Sequence, residues 1–118
     1  MNPIQYRNDT LSIDDVTLSD IAKQYGTPAY VYSETALSQA FEAYRQAFSA
    51  FDPLICYAIK ANSNLSILRH FAKLGAGFDI VSGGELARVM AAGAEASKVV
   101  FSGVGKSEHA ATRHKASQ

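Results

Sequence analysis

A single lysine at the end of an apolar run is the first residue whose position suggests chemistry. Lys60 follows six consecutive apolar residues, 54–59, a run typical of a buried parallel strand. Alternation along that strand predicts that Lys60 shares a face with the small residues Cys56 and Ala58. An amine held in a partly dry site loses its proton readily and attacks carbonyl carbon. The alternative is a lysine that extends from the strand end into water.

An aspartate lies inside the next apolar segment. Asp79 is flanked by Phe78 and Ile80. Alternation predicts that these two neighbours face covering helices, and that Asp79 points to the opposite side, as Lys60 does. Its carboxylate would there pair with the lysine or orient it. The alternative is a carboxylate that accepts hydrogen bonds from the backbone of a neighbouring loop.

Two further segments carry glycines near a helix start or a strand end. Ser82 with Glu85 three residues later predicts a capping box, which would occupy the amides that an anion needs. Residues 102–107 look like the end of a phosphate-binding loop, but Val100 stands where that loop requires its first glycine. Cys56 is the one cysteine, and the three histidines lack zinc-type spacing. The sequence therefore predicts no metal site.

The elements that must position these residues alternate between strand and helix. From 54 to 105 the order is β-α-β-α-β, which indicates an α/β fold with parallel strands. The three predicted strands cover 54–59, 78–81 and 99–101, and they are preceded by a helix over 17–25, a strand over 29–32 and a helix over 33–51. One face of the last helix carries a stripe predicted to be core: Leu37, Phe41, Tyr44, Phe48 and Phe51.

Composition sets the wider limits. Eleven basic and eleven acidic residues balance, which gives no general attraction to nucleic acid or anionic lipid. No run approaches the roughly 18 apolar residues of a membrane span, and the polar start lacks the pattern of a secretory signal. We therefore expect a cytoplasmic protein. Three regions are predicted: a mobile lead-in over 1–16, a folded part over 17–106 and a polar tail over 107–118.

Four segments together resemble the N-terminal part of one enzyme family. They read YGTPAYVY over 25–32, YAIKAN over 57–62, GFDIVSGGE over 77–85 and VVFSGVGK over 99–106. In this order they resemble diaminopimelate decarboxylase. The related ornithine and arginine decarboxylases and alanine racemases have the lysine but are less similar in the last two segments.

The resemblance implies a fold, a cofactor and a reaction. The fold would be a (β/α)₈ TIM barrel, of which this chain supplies about the first three βα units. Pyridoxal 5′-phosphate would be bound as a Schiff base to Lys60, the catalytic residue, with Asp79 near it and Glu85 at an outer position. The reaction would convert meso-diaminopimelate to L-lysine and CO₂, a carboxy-lyase step of lysine biosynthesis, in a homodimer.

The length of the chain leads to a further expectation. A complete barrel takes roughly 250 residues, so we expect this chain to be inactive alone, as the truncated or frameshifted N-terminal portion of such an enzyme. The polar tail would then hold a few out-of-frame residues. Two alternatives stay open. One is a non-catalytic α/β binding module, and the other is a different decarboxylase of the same fold type, such as an ornithine or arginine decarboxylase.

Overall fold

The computed structural model describes residues 2–104. It divides the chain into two compact units, Met1–Ala43 and Tyr44–Gln118. The tail predicted over 107–118 lies outside the described residues. In the described part of the chain, no helix has both the length and the apolar character needed to cross a membrane.

The first unit begins with three short antiparallel strands in the order β1-β2-β3, namely β1 Ile4–Arg7, β2 Thr10–Ile13 and β3 Val16–Thr17. Arg7 is opposite Thr10, and the two residues between them, Asn8 and Asp9, both have positive φ, as a tight hairpin turn requires. The prediction of a mobile lead-in over 1–16 did not anticipate these strands. They are too short to show a clear alternation, and the turn lacks the glycine that usually marks it.

Two helices follow, α1 Leu18–Tyr25 and α2 Glu34–Ala47. Both begin where their caps predict. The Thr17 hydroxyl accepts a hydrogen bond from the Asp20 amide at 3.2 Å, and the Ser33 hydroxyl accepts one from the Ala36 amide at 2.9 Å. Ser33 also donates to the carboxylate of Asp14, at 2.7 and 2.9 Å to its two oxygens. Side-chain capping therefore sets the starts of both helices.

The strand predicted over 29–32 does not form. Residues 26–33 belong to no helix or strand, and Tyr30 is 93% exposed. A strand needs a hydrogen-bonded neighbour, and no strand in residues 2–104 pairs with this segment. The sequence pattern alone could not reveal that the partner is missing.

The aromatic stripe of α2 is only partly core. Phe41 is buried, whereas Tyr44 is 61% and Phe51 80% exposed. The helix ends at Ala47, and a short 3₁₀ helix over Ser49–Phe51 replaces its predicted last turn. Because helical spacing says only which side chains share a face, it could not show which of them are covered.

The second unit is a parallel three-stranded sheet with helices between its strands. The strands are β4 Cys56–Ala58, β5 Gly77–Ile80 and β6 Val99–Phe101, in the order β4-β5-β6. The helices are α3 Leu65–Lys73 and α4 Gly83–Ala91, and two short 3₁₀ helices cover Ile59–Ala61 and Ala96–Lys98. The α/β fold with parallel strands is confirmed in the described residues.

One face of this sheet forms the core of the second unit. Phe78, Ile80 and Val99 are buried on it. Buried side chains of α3 and α4 complete the core: Ile67, Leu68, Phe71, Leu86 and Val89. Each fully buried side chain of this size contributes roughly 1.5–3 kcal/mol to folding. The predicted direction of Phe78 and Ile80, away from Asp79, is therefore correct.

Candidate functional site

Lys60 lies at the carboxyl end of β4, but it is not part of the strand. The strand ends at Ala58, and Lys60 is the middle residue of the 3₁₀ helix Ile59–Ala61, with its side chain exposed. The strand predicted over 54–59 is therefore shortened to Cys56–Ala58, and Lys60 follows it rather than belonging to it. The physical reason is the turn itself, in which Ile59 becomes completely buried and the strand periodicity is interrupted.

The turn after β4 is held at two backbone carbonyls. The Tyr57 hydroxyl donates to the carbonyl of Asn62 at 2.9 Å, while its ring stacks on Phe71 with 4.5 Å between ring centres. Arg88 Nε of α4 donates to the carbonyl of Ser63 at 3.0 Å. The backbone that follows Lys60 is thus attached both to its own strand and to a helix that comes later in the chain.

Asp79 projects from β5 beside Ala58, its register partner on β4. Its side chain is half-buried, and Oδ1 accepts a hydrogen bond from the Ser102 hydroxyl. The structure does not bring Asp79 and Lys60 into contact: in residues 2–104 neither an ion pair nor a hydrogen bond joins them. The carboxylate is oriented by Ser102, which is not among the predicted site residues.

The position of Ser102 in the sequence indicates that it belongs to the site. It is the first residue after β6, just as Lys60 closely follows β4, and carboxyl ends of parallel strands gather at one edge of a sheet. Its amide also donates to the Ile80 carbonyl at 3.0 Å, which attaches it to β5. Polar residues close to the carboxyl ends of the parallel strands are therefore the sequence pattern that predicts this site.

The thiol of Cys56 lies on the same face of the sheet as Asp79. Burial raises the pKa of Cys56, and the negative charge of Asp79 raises it further. The thiol therefore stays protonated and is a poor nucleophile near neutral pH. This agrees with the prediction that Cys56 is a small packing residue.

The start of α4 is capped as predicted, with one difference. The Ser82 hydroxyl accepts from the Glu85 amide at 3.1 Å. Glu85 Oε2 accepts from the Val81 amide at 2.6 Å, one residue before the partner of the usual capping box. The Glu85 amide, the Val81 amide and the Glu85 carboxylate are therefore all used in contacts within residues 81–85. Glu85 thus secures the chain between β5 and α4.

These residues offer one reactive group at the strand ends. The Lys60 amine is exposed and makes neither a hydrogen bond nor an ion pair within residues 2–104. An accessible amine is suited to covalent attachment of a carbonyl compound. No group of three or more His, Cys, Asp or Glu side chains in the described chain is arranged to hold a metal ion.

Comparison with characterised sequences gives consistent matches. Diaminopimelate decarboxylase of Neisseria meningitidis serogroup B is 64% identical over 99 residues, which are 84% of this chain and 24% of that protein. Diaminopimelate decarboxylase of Vibrio cholerae is 54% identical over 109 residues, 92% of this chain and 26% of that protein. The chain thus spans about a quarter of the length of these relatives.

Solved structures that resemble this chain include the same class of enzyme. Diaminopimelate decarboxylase from M. jannaschii, in complex with L-lysine, superposes with a TM-score of 0.93 at 32% identity, over 98% of this chain and 28% of that one. The enzyme from Helicobacter pylori, also with L-lysine, gives 0.79 at 44% identity, over 83% of this chain and 25% of that one. Lysine/ornithine decarboxylase from Vibrio vulnificus, at 21% identity and a TM-score of 0.76, shows the same fold only.

A family model describes the matched region directly. The model of the pyridoxal-dependent decarboxylases, pyridoxal binding domain, matches residues 34–118. The match contains both parallel-strand connections and the lysine, aspartate and serine described above. The chain therefore belongs to the pyridoxal-dependent decarboxylase family, within its pyridoxal-binding domain.

Proposed function

We propose that this chain forms the N-terminal portion of the cofactor-binding barrel of a diaminopimelate decarboxylase, and that Lys60 carries the cofactor. The observation that supports this most directly is the accessible Lys60 amine at the carboxyl end of β4, inside the region matched by the pyridoxal-binding family. In barrel enzymes the carboxyl ends of the strands form the active-site face. The three parallel strands would be the first three βα units of that barrel.

The residues in this chain fit pyridoxal phosphate. Lys60 supplies a primary amine without a competing partner in residues 2–104, and such an amine binds an aldehyde covalently. When bound, the cofactor supplies an electron sink for the electron pair left behind as CO₂ departs. Lys60 then has two tasks, which are to hold the cofactor and, once released as a free amine, to move a proton to or from the substrate.

Asp79 has a supporting role in this proposal. Its carboxylate stands on the sheet face opposite the core, and Ser102 holds its Oδ1 in one orientation. With the cofactor bound, a fixed negative charge at that position would contribute to binding by attracting a positively charged part of the group. Ser102 acts through Asp79 and keeps the carboxylate from rotating.

The substrate would be meso-diaminopimelate and the product L-lysine. This rests on the names of the similar proteins, which are diaminopimelate decarboxylases at 54–64% identity, and on two similar structures that contain L-lysine. The ornithine and arginine enzymes are less favoured, because the lysine/ornithine enzyme is only 21% identical. The active enzyme would be a homodimer, as the family resemblance implies.

Reductive trapping tests the proposed cofactor lysine. The full chain is incubated with pyridoxal phosphate, reduced with borohydride and digested, and the pyridoxyl group is located by peptide mapping. We expect the label mainly on Lys60, with little on the exposed lysines Lys23 and Lys73. Lys60→Arg is the matched control, since a guanidinium keeps the charge but does not form the imine. Equal labelling of all lysines would argue for a non-catalytic module instead.

A further inference from the structure

The turn that presents Lys60 is attached to the rest of the second unit by two side chains from different elements. Tyr57, on β4, holds the Asn62 carbonyl, and Arg88, on α4, holds the Ser63 carbonyl. These carbonyls lie two and three residues after Lys60. The 3₁₀ turn ends at Ala61 and Asn62 is extended, so only these two residues separate Lys60 from Ser63, and the two contacts restrict the position of the turn.

Arg88 makes the longer-range of the two contacts. It reaches back 25 residues along the chain, from a helix that packs on the opposite side of β5 from Asp79. Because its donor is charged, the hydrogen bond is stronger than one between neutral groups. The arginine is near the end of α4, where a cation also interacts favourably with the helix dipole. However, Nε is directed to the Ser63 carbonyl, which lies outside its own helix.

Another exposed arginine provides a contrast. Arg69 lies within α3, the helix that follows the same loop, and it has neither a hydrogen bond nor an ion pair within residues 2–104. Exposure on these two helices is therefore not sufficient for an arginine to bind the loop. The contact of Arg88 is specific to its place on α4.

We propose that Arg88 is a positioning residue for Lys60, with the Tyr57 hydroxyl as a second anchor. By holding the Ser63 carbonyl, Arg88 limits the motion of the turn and keeps the Lys60 amine at the strand ends. The proposal rests on the proposed function, in which Lys60 binds the cofactor. Loss of the anchor leaves the amine chemically intact but spreads it over more positions, which lowers the rate at which it attaches an aldehyde.

The experiment compares four variants of the full chain: Arg88→Gln, Arg88→Lys, Tyr57→Phe and, as the matched control, Arg69→Gln. The first readout is the rate at which pyridoxal phosphate becomes reducible onto Lys60, measured by borohydride quenching and peptide mapping. The second is amide hydrogen exchange of the peptide that covers residues 60–66. Circular dichroism shows that each variant keeps its helices.

The expected result for each variant depends on the hydrogen-bond donor that the substitution removes or keeps. Arg88→Gln slows labelling of Lys60 by about threefold to tenfold and accelerates exchange in residues 60–66. Arg88→Lys restores part of both, since an ammonium still donates. Tyr57→Phe has a smaller effect of the same sign, because it removes a neutral donor and keeps the ring on Phe71. Arg69→Gln behaves like the unmodified chain.

The outcomes separate the two proposals. If the unmodified chain labels Lys60 faster than Lys73 and Arg88→Gln changes neither readout, the positioning role is wrong and the proposed function stands. If the unmodified chain shows no preference for Lys60, both are wrong. Should Arg88→Gln lose its helical signal, Tyr57→Phe and Arg88→Lys decide. If Tyr57→Phe and Arg88→Lys both label Lys60 and exchange residues 60–66 at the rates of the unmodified chain, the positioning role is overturned.

Discussion

Ser102 donates a hydrogen bond from its hydroxyl to Oδ1 of Asp79, so the residue that follows β6 orients the carboxylate that projects from β5. The next residue shows how closely the two strand ends approach. A Cβ atom at Gly103 would lie 2.6 Å from the carbonyl oxygen of Val81, a distance that real side chains do not adopt. The loop after β6 therefore lies directly against the loop after β5, and a glycine is needed there.

The carboxylate of Asp79 acts electrostatically on its neighbour Cys56. Burial and then the Asp79 carboxylate raise the pKa of the thiol. Asp79→Asn removes the negative charge, makes the thiolate less unfavourable and so lowers the pKa of Cys56, although burial keeps it above its ordinary value. We expect the rate of iodoacetamide alkylation to rise with pH at a lower midpoint in this variant. Asp52→Asn, the control, leaves the midpoint unchanged, and an unchanged midpoint in Asp79→Asn would contradict the assignment.

Two glycines of the second unit respond oppositely to alanine. At Gly77 a Cβ atom would meet the Lys98 carbonyl oxygen at 2.5 Å and the Cys56 Sγ at 2.7 Å, so the backbone must shift. We expect Gly77→Ala to lower the free energy of unfolding by about 1–3 kcal/mol. Gly84→Ala, in α4 with its nearest contact at 3.9 Å, is expected to raise it by up to about 1 kcal/mol. Urea denaturation measures both, and equal stability of the two variants would refute the packing argument.

The cap of α4 makes a separate contribution to stability. Ser82→Ala leaves the Glu85 amide without its acceptor, and we expect the free energy of unfolding to fall by about 1 kcal/mol. Ser82→Asp restores most of this loss, because a carboxylate also caps. Ser97→Ala serves as the control, since that exposed hydroxyl makes no hydrogen bond in the described part of the chain. A Ser82→Ala chain that unfolds at the same urea concentration as Ser97→Ala would contradict the predicted cap.

A chimeric enzyme tests the proposed reaction. Residues 1–104 of this chain replace the matching part of the Neisseria meningitidis relative, to which the chain is 64% identical. We expect the chimera to release CO₂ from meso-diaminopimelate. Lys60→Arg reduces the release to the level of the buffer blank, because the guanidinium does not attach the cofactor.

The matched control for the chimera is Lys98→Arg. Lys98 is paired with Glu95 at 2.8 Å on the surface, and an exposed pair of this kind contributes little energy. The Lys98→Arg chimera should release CO₂ at a rate within about twofold of that of the parent chimera. A Lys60→Arg chimera that still turns over would show that Lys60 is not the cofactor lysine.

Local sequence patterns determined several features of both units. The caps at Ser33 and Ser82 were read correctly because each hydroxyl bonds an amide only three residues away. Alternation also assigned Phe78 and Asp79 to opposite faces, since a four-residue strand keeps its period of two throughout. Short-range geometry of this kind is contained in the order of the residues.

The tertiary structure decided the details of the site. Lys60 lies outside β4 because the chain turns after Ala58. The strand expected over 29–32 has no pairing partner among the described residues, so its local propensity was not enough. The contacts of Ser102 with Asp79 and of Arg88 with Ser63 join residues 23 and 25 positions apart. No local period extends over such distances, because these contacts depend on how the strands and helices pack.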